Sequence, residues 1–491
     1  MERRDIPGYY WNEAKRRYFK IESGNTAPAS AFYNATNVNK RKLQDAVRDE
    51  ARKRHEVLAT HLKPARVLSD PLTGARLLRE IGLYDPELPT KNWLSALQAK
   101  GGIVFGNAGG PSIDCMLVNG HDTMSGMGVV YAATHGARYL RASYIPTDEN
   151  GTINFDADPL GRASRASRIH TEPFIFNNIT SLSYHKSSHR ILQTADQARI
   201  TIFEPVLSAH CPRAHAFTNE SGPHPAWLLG ETQSNISITL NPSDLSLRRS
   251  CAAPPAHGGS TLSAIVATDR GIIKIIDSHM AWLGPKQPIT PQHAQQNAIP
   301  YDVLSVDWHP TSPNICFAGN RNADFFRIDM RTPHAGPGWD RYRHRSAAAH
   351  VRAIDDYQIL IAGPMNAMAI YDVRRMTAGK PGRRAKEARA VCTMHDYVNS
   401  AYVDIGLDMT TIAGECVVAA ATSAGTVDVF SMRTGKKMNV GALSQVGVDG
   451  VVKCLQWEKM PWENEPSLWA GVGNTVTKLS FGLDEREDED G

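Results

Sequence analysis

Residues 303–331 read VLSVDWHPTSPNICFAGNRNADFFRIDMR, and their patterning decides the fold. VLSVDW alternates as a half-buried strand does, HPTSP breaks it, NICFAG runs apolar as an inner strand, NRNA turns the chain, and DFFRIDMR alternates again. A unit of this kind cannot bury both of its faces alone, so it requires neighbours of the same type.

Those neighbours are present. HVRAIDDYQILIAGPMNAMAIYDVR at 350–374 shortens the pattern, YVDIGLDMTTIAGECVVAAATSAGTVDVFSMRTG at 402–435 lengthens its second strand, and VKCLQWEKMPWENEPSLWAGVGNTVTKLSFG at 452–482 and ITSLSYHKSSHRILQTADQARITIFEP at 179–205 repeat it. Partial copies are LSAIVATDRGIIKIID at 262–277 and MGVVYAATHGARYLRASYI at 127–145. Asp329 and Asp372 end equivalent strands 43 residues apart, within the roughly 40 to 45 residues of a four-stranded propeller blade. Seven units predict an all-β, seven-bladed WD-repeat β-propeller over 101–482, its blades stacked radially around a channel. Residues 101–118 are expected to supply the outer strand that closes the ring.

Ahead of the propeller, 1–36 forms an arm rich in aromatic and basic residues, and 37–100 reads as a helical segment. Leu43, Val47, Ala51, Leu58 and Leu62 draw a thin apolar stripe along one helix over 37–62, and a weaker helical patch covers 75–98, interrupted by Pro86 and Pro89. Residues 206–260 interrupt the repeat as a Pro, Gly, Ser and His rich excursion around a strand within 226–240, and 378–390 is a basic surface loop. The tail 483–491 is acidic and predicted to be disordered.

Charge is uneven although the net is only +4: residues 1–66 hold 15 Lys and Arg against 8 Asp and Glu, while 484–491 hold six acids and one Arg. Seven cysteines lie far apart with no zinc spacing and are expected to be reduced, mostly core thiols. No long apolar run or secretory leader is seen, so the chain is expected to be soluble, with no membrane partner, and nuclear or cytoplasmic.

The sequence offers no catalytic residues and no cofactor or metal site. GNAGGPS at 106–112 lacks the Lys-Ser/Thr of a phosphate loop, Gly126-Met127-Gly128 is too short for a dinucleotide site, and Ser125, His121 and Asp122 have neither elbow nor triad spacing. His121, His350 and His395 fit internally bonded blade histidines, and Trp308 and Trp457 fit core aromatics. Two strand endings differ: IDMR at 328–331 and YDVR at 371–374 each place a carboxylate and a guanidinium two residues apart on one side of an extended chain. Such an Arg offers a planar fork to carboxylates or carbonyls across an interface. The alternative is that these pairs only tie a blade to its neighbour.

At these residues the chain resembles the WD-repeat substrate receptors of cullin-4 RING ubiquitin ligases, whose blades carry a W/Y-D-x-R ending that docks the damaged-DNA-binding-protein adaptor. YDVR matches that pattern, while Ile328 departs from it at the first position. IPGYYWNEAKRRYFKI at 6–21 is similar to the Pro-Gly-aromatic opening of the factor 4 branch of those cullin-4-associated proteins. The resemblance implies a non-catalytic receptor with Asp329, Arg331, Tyr371, Asp372 and Arg374 on the adaptor-facing rim. It also implies that Tyr9, Tyr10, Trp11, Tyr18 and Phe19 pack the arm against a blade or the adaptor, and that the 37–62 helix enters an adaptor groove. An unknown protein would be the target; nucleic acid is not an expected partner.

Two other classes compete. One is a WD-repeat scaffold of a ribosome-biogenesis or chromatin assembly, whose basic N-terminus meets nucleic acid and whose binding is steeply salt-dependent. The other is a propeller enzyme, which needs acids and histidines clustered at the channel.

Overall fold

Seven four-stranded antiparallel sheets carry the chain in the computed structural model, six of them running in sequence order from the channel outwards and the seventh closed by an earlier strand. The structure describes residues 9–12, 17–21, 34–35, 38–39 and 86–481, the last apart from 107–109, 121–127, 146, 148–150, 155–168, 173–177, 206–234, 241–244, 284–300, 333–338, 380–384, 442, 444–449 and 462. Two compact units divide at Asp85/Pro86.

In the first unit Tyr9–Asn12 and Arg17–Lys20 form an antiparallel ribbon that sets Tyr10 opposite Phe19 and Trp11 opposite Tyr18. The two aromatic stretches of the opening therefore pair with each other as strands. Residues 38 and 39 are helical; the rest of the helix expected over 37–62 lies outside the described residues, as does the acidic tail.

The second unit is the propeller. Its innermost strands are Ile113–Asn119, Ile179–His185, Leu247–Ala252, Val303–Trp308, His350–Ala353, Leu407–Ile412 and Leu455–Glu458, one for each of blades 1 to 7. All seven repeats read in the sequence correspond to a blade. Blade 4 shows the pattern in full: Val303–Trp308, Ile315–Asn320, Asp324–Asp329 and Trp339–Arg343. In the 206–260 stretch the strand Asn235–Thr239 forms the outer edge of blade 2, and Leu247–Ala252 already begins blade 3.

Ring closure differs in detail from expectation. The strand that pairs with Thr475–Phe481 and completes blade 7 is Leu97–Val104, whereas Ile113–Asn119 begins blade 1. It starts ahead of the boundary placed at 101 because a bulge between Ala99 and Gly102 breaks the alternation that marks a strand in sequence. Of the helical patch over 75–98, Leu88–Ser95 is a helix opening on Pro89, with Leu94 buried; 75–85 lie outside the described residues.

The core lies between blades. One layer joins Phe317, Phe325 and Tyr342 of blade 4 to Ile359, Ile361 and Tyr371 of blade 5; another joins Leu360, Met368 and Ile370 of blade 5 to Val418, Ala420 and Phe430 of blade 6. Each second strand is thus covered on both faces, which is why ICFAG and ILIAG read as unbroken apolar runs. Their terminal glycines have a steric cause. A Cβ on Gly319 would sit 2.5 Å from the Ala348 carbonyl oxygen, and one on Gly363 1.8 Å from that of Ala347, because the chain entering blade 5 crosses both strand ends.

Polar bonds link neighbouring inner strands. Asp307 of blade 4 accepts from the Ala353 amide of blade 5 at 2.8 Å, from its neighbour Trp308 at 2.9 Å, and from the Cys251 thiol of blade 3 at 3.3 Å. Asp408 of blade 6 accepts from the Trp457 amide of blade 7 at 2.7 Å. Trp308 donates its indole N–H to the Cys251 carbonyl at 3.0 Å. Among the described residues no helix is long and apolar enough to cross a membrane.

Candidate functional site

Third strands run away from the turn that joins them to the second, so their endings in all blades gather on one face of the ring. Blade 5 ends in Asp372, which accepts from the Arg374 amide at 3.0 Å, from its Nε at 3.0 Å and from its Nη2 at 2.8 Å. The carboxylate is almost wholly buried while the guanidinium side chain is 56% exposed. Arg374 also lies over the Tyr357 ring, 4.1 Å from its centre. Blade 4 repeats the device: Asp329 accepts from the Arg331 amide and Nε at 3.0 Å each and from Nη2 at 2.6 Å, and Arg331 is 67% exposed.

These hydrogen bonds from Arg331 hold the Asp329 carboxyl at about 2, below its ordinary 3.8, and Arg374 likewise lowers Asp372. Both pairs close within a single blade. They do not tie a blade to its neighbour. Each carboxylate instead fixes the rotamer of a guanidinium whose remaining N–H groups face solvent, a pre-organised fork for an acceptor.

Tyr371 does not belong to the exposed set. It is 2% exposed, its hydroxyl meets His344 Nδ1 at 2.7 Å, and its ring packs 5.3 Å from that of Phe325. Side chains alternate along a strand, so the residue before the terminal Asp points between blades. Ile328 is buried at the equivalent place in blade 4, and its departure from an aromatic concerns packing alone.

Blade 6 carries a third fork that the sequence reading passed over. Its third strand Val427–Ser431 ends FSMR, with Ser431 where blades 4 and 5 have Asp. The carboxylate comes instead from Glu415 on the second strand, which accepts from Arg433 Nε at 2.9 Å and also from its Nη2. Ser431, freed from that role, donates to Glu87 just ahead of the Leu88–Ser95 helix; Thr434 donates to the same carboxylate at 2.9 Å. The spacing shared by IDMR and FSMR was the available signal.

Acids and bases alternate at the channel. A cavity of about 410 Å³ there is lined by Asp114, Asp196 and Asp404 together with Arg248, Arg249, Arg352 and Lys453. Lys453 meets Asp114 at 2.7 Å and Arg249 approaches Asp404 at 3.8 Å. His350 is buried behind Arg249, its Nδ1 accepting from Arg249 Nη1 at 2.8 Å. His395 is exposed, and His121, Asp122 and Ser125 lie outside the described residues. Among the described residues no three His, Cys, Asp or Glu side chains are grouped to hold a metal, and the six described cysteines are unpaired.

The chain is a seven-bladed β-propeller. It is similar to the WD40 β-propeller domain of Doa1, with a TM-score of 0.47 at 11% identity over 80% of this chain and 98% of that one. The β-propeller domain of Cps50 (Swd1) of Myceliophteria thermophila gives 0.48 at 11% identity over 78% and 99%. At such identity the likeness is one of fold. No protein-family model matches the sequence, and no curated protein does.

Proposed function

We propose that the protein is a non-catalytic substrate receptor of a cullin-4 RING ubiquitin ligase, docking the damaged-DNA-binding-protein adaptor through the face on which blades 4 to 6 end. The observation that carries this reading is the row of exposed guanidinium groups, Arg331, Arg374 and Arg433, each locked by two hydrogen bonds to a carboxylate of its own blade. Surface ion pairs contribute little to stability, so three exposed guanidinium groups, each doubly bonded to a carboxylate, on consecutive blades favour a role in binding. Arg374, backed by Tyr357 and Asp372, has the anchor composition of an interface hot spot. The basic, aromatic arm at 6–21, similar to that of the factor 4 branch, is a second support. Ubiquitin transfer to a bound target would then be proximity supplied by other subunits. Residence would follow the ligase, in nucleus or cytoplasm.

The test is affinity purification of the tagged chain beside an Arg331→Ala/Arg374→Ala variant, with mass spectrometry of the partners. The adaptor is expected with the wild type and absent from the folded variant. Its absence from both, with ribosomal or chromatin proteins in its place, identifies a scaffold of another assembly.

A further inference from the structure

The opposite face carries an ordered apolar surface on blades 5 and 6. There the chain from Met394 to Ile405 leaves the outer strand of blade 5 and enters the inner strand of blade 6. Its anchor is Asn399, which is fully buried. The Asn399 side chain donates to the Tyr402 carbonyl at 2.8 Å and the Tyr397 hydroxyl at 3.2 Å, and accepts from the Tyr402 amide at 2.9 Å. Its backbone amide donates to Asn366 Oδ1 at 2.8 Å.

This loop is stitched to the turns of both blades. Met365 and Asn366 amides donate to the Ser400 and Asn399 carbonyls at 3.2 and 2.8 Å, and the Ser423 amide of blade 6 donates to the Val398 carbonyl at 3.0 Å. Beside the exposed His395, Asp396 and Ser400, the loop and the blade 5 turn expose three large apolar side chains: Met365, Val398 and Tyr402 are 65%, 45% and 44% exposed.

Met365 is held there against its own preference. The turn places Met365 at φ 61° and Asn366 at φ 56°, a conformation that Gly and Asn adopt freely and a long side chain does not. Backbone strain at an exposed side chain points to use of that side chain. In a chain of net charge +4, residues 391–406 contain Asp396 and Asp404 and no Lys or Arg, and the turns 363–367 and 422–426 are uncharged. Among the described residues Asp396 makes no ion pair; Asp404, 63% exposed, has Arg249 at 3.8 Å and also faces Lys453.

We propose that Met365, Val398 and Tyr402, flanked by Asp396 and Asp404, form a docking surface for a partner protein segment in which an apolar side chain is flanked by Lys or Arg. The apolar side chain packs on Met365 and Val398, and the cation lies between the carboxylates and the Tyr402 ring. The surface is independent of what the Asp-x-Arg face binds.

Short synthetic peptides with Leu or Phe flanked by Arg, and charge-reversed counterparts with Glu, are titrated against the full chain by fluorescence anisotropy. The basic set is expected to bind and the acidic set not to. Affinity should fall at least tenfold in Asp396→Asn/Asp404→Asn and in Met365→Gly, and stay unchanged in Arg374→Ala on the opposite face. Met365→Gly suits its turn, so loss of binding without loss of melting temperature assigns the effect to the side chain. No binding of the basic set, equal binding of both sets, or binding indifferent to these three substitutions overturns the proposal.

Discussion

The guanidinium of Arg374 rests 4.1 Å from the centre of the Tyr357 ring while its Nε and Nη2 are both held by Asp372. An arginine so fixed presents its remaining donors outward in one orientation, and a partner that accepts them loses little freedom in doing so. The carboxylate and the ring serve the arginine, and in the proposed receptor the arginine serves the interface. Arg374→Ala is therefore expected to leave the melting temperature near wild type while weakening adaptor binding at least tenfold. Asp372→Ala should weaken binding too and in addition loosen the Val373–Arg375 turn, seen as faster hydrogen exchange of the Arg374 amide.

The pairs should persist well into acid. Arg331 holds the folded Asp329 carboxyl at about 2 against an ordinary 3.8. A depressed carboxyl stabilises above its unfolded value and loses that contribution as pH falls from 3.8 through about 2. The Arg331 and Arg374 Nε–H signals in NMR should stay shifted at pH 4 and collapse towards free arginine only below it.

The seven repeats were legible because each blade buries its second strand on both faces and turns at its ends, and both demands are written in local pattern. The Asp-x-Arg forks were legible for the same reason: their partners are two residues apart. What was not legible depends on partners distant in sequence. Arg433 takes its carboxylate from Glu415, Tyr371 is buried because the sheet of blade 4 lies against it, and Leu97–Val104 finds its partner almost 400 residues on, at Thr475–Phe481. Sequence periodicity could not reveal these.

Gly363 is the tightest point between blades 4 and 5. With a Cβ placed 1.8 Å from the Ala347 carbonyl oxygen, Gly363→Ala must push apart two backbones, at a cost of about 3 kcal/mol or more. Urea denaturation should show the midpoint lowered with its slope unchanged.

Asp307 bonds three blades at once. Removing its carboxylate leaves the Ala353 amide without its acceptor and takes from Arg352 one of the carboxylates, Asp307 and Asp408, that face it. Asp307→Ala is expected to destabilise the ring by about 3 kcal/mol, and Asp307→Asn by less, as read from the same denaturation curves.

Two buried histidines tie stability to pH. Burial lowers His344 to about 4 and places His350 well below its ordinary 6.5. Both stay neutral in the fold and gain a proton in the unfolded chain below 6.5, so stability falls as pH drops from 6.5 towards 4. Melting temperature measured across that range should decline, and decline less steeply in His344→Gln and His350→Gln.

The central claim is tested most directly by calorimetric titration of the full-length chain with the purified cullin-4 adaptor. The account predicts saturable binding by the wild type, at least tenfold weaker binding by Arg374→Ala, and none measurable by the folded Arg331→Ala/Arg374→Ala/Arg433→Ala variant. Binding that survives all three substitutions, or a wild type that does not bind, contradicts it.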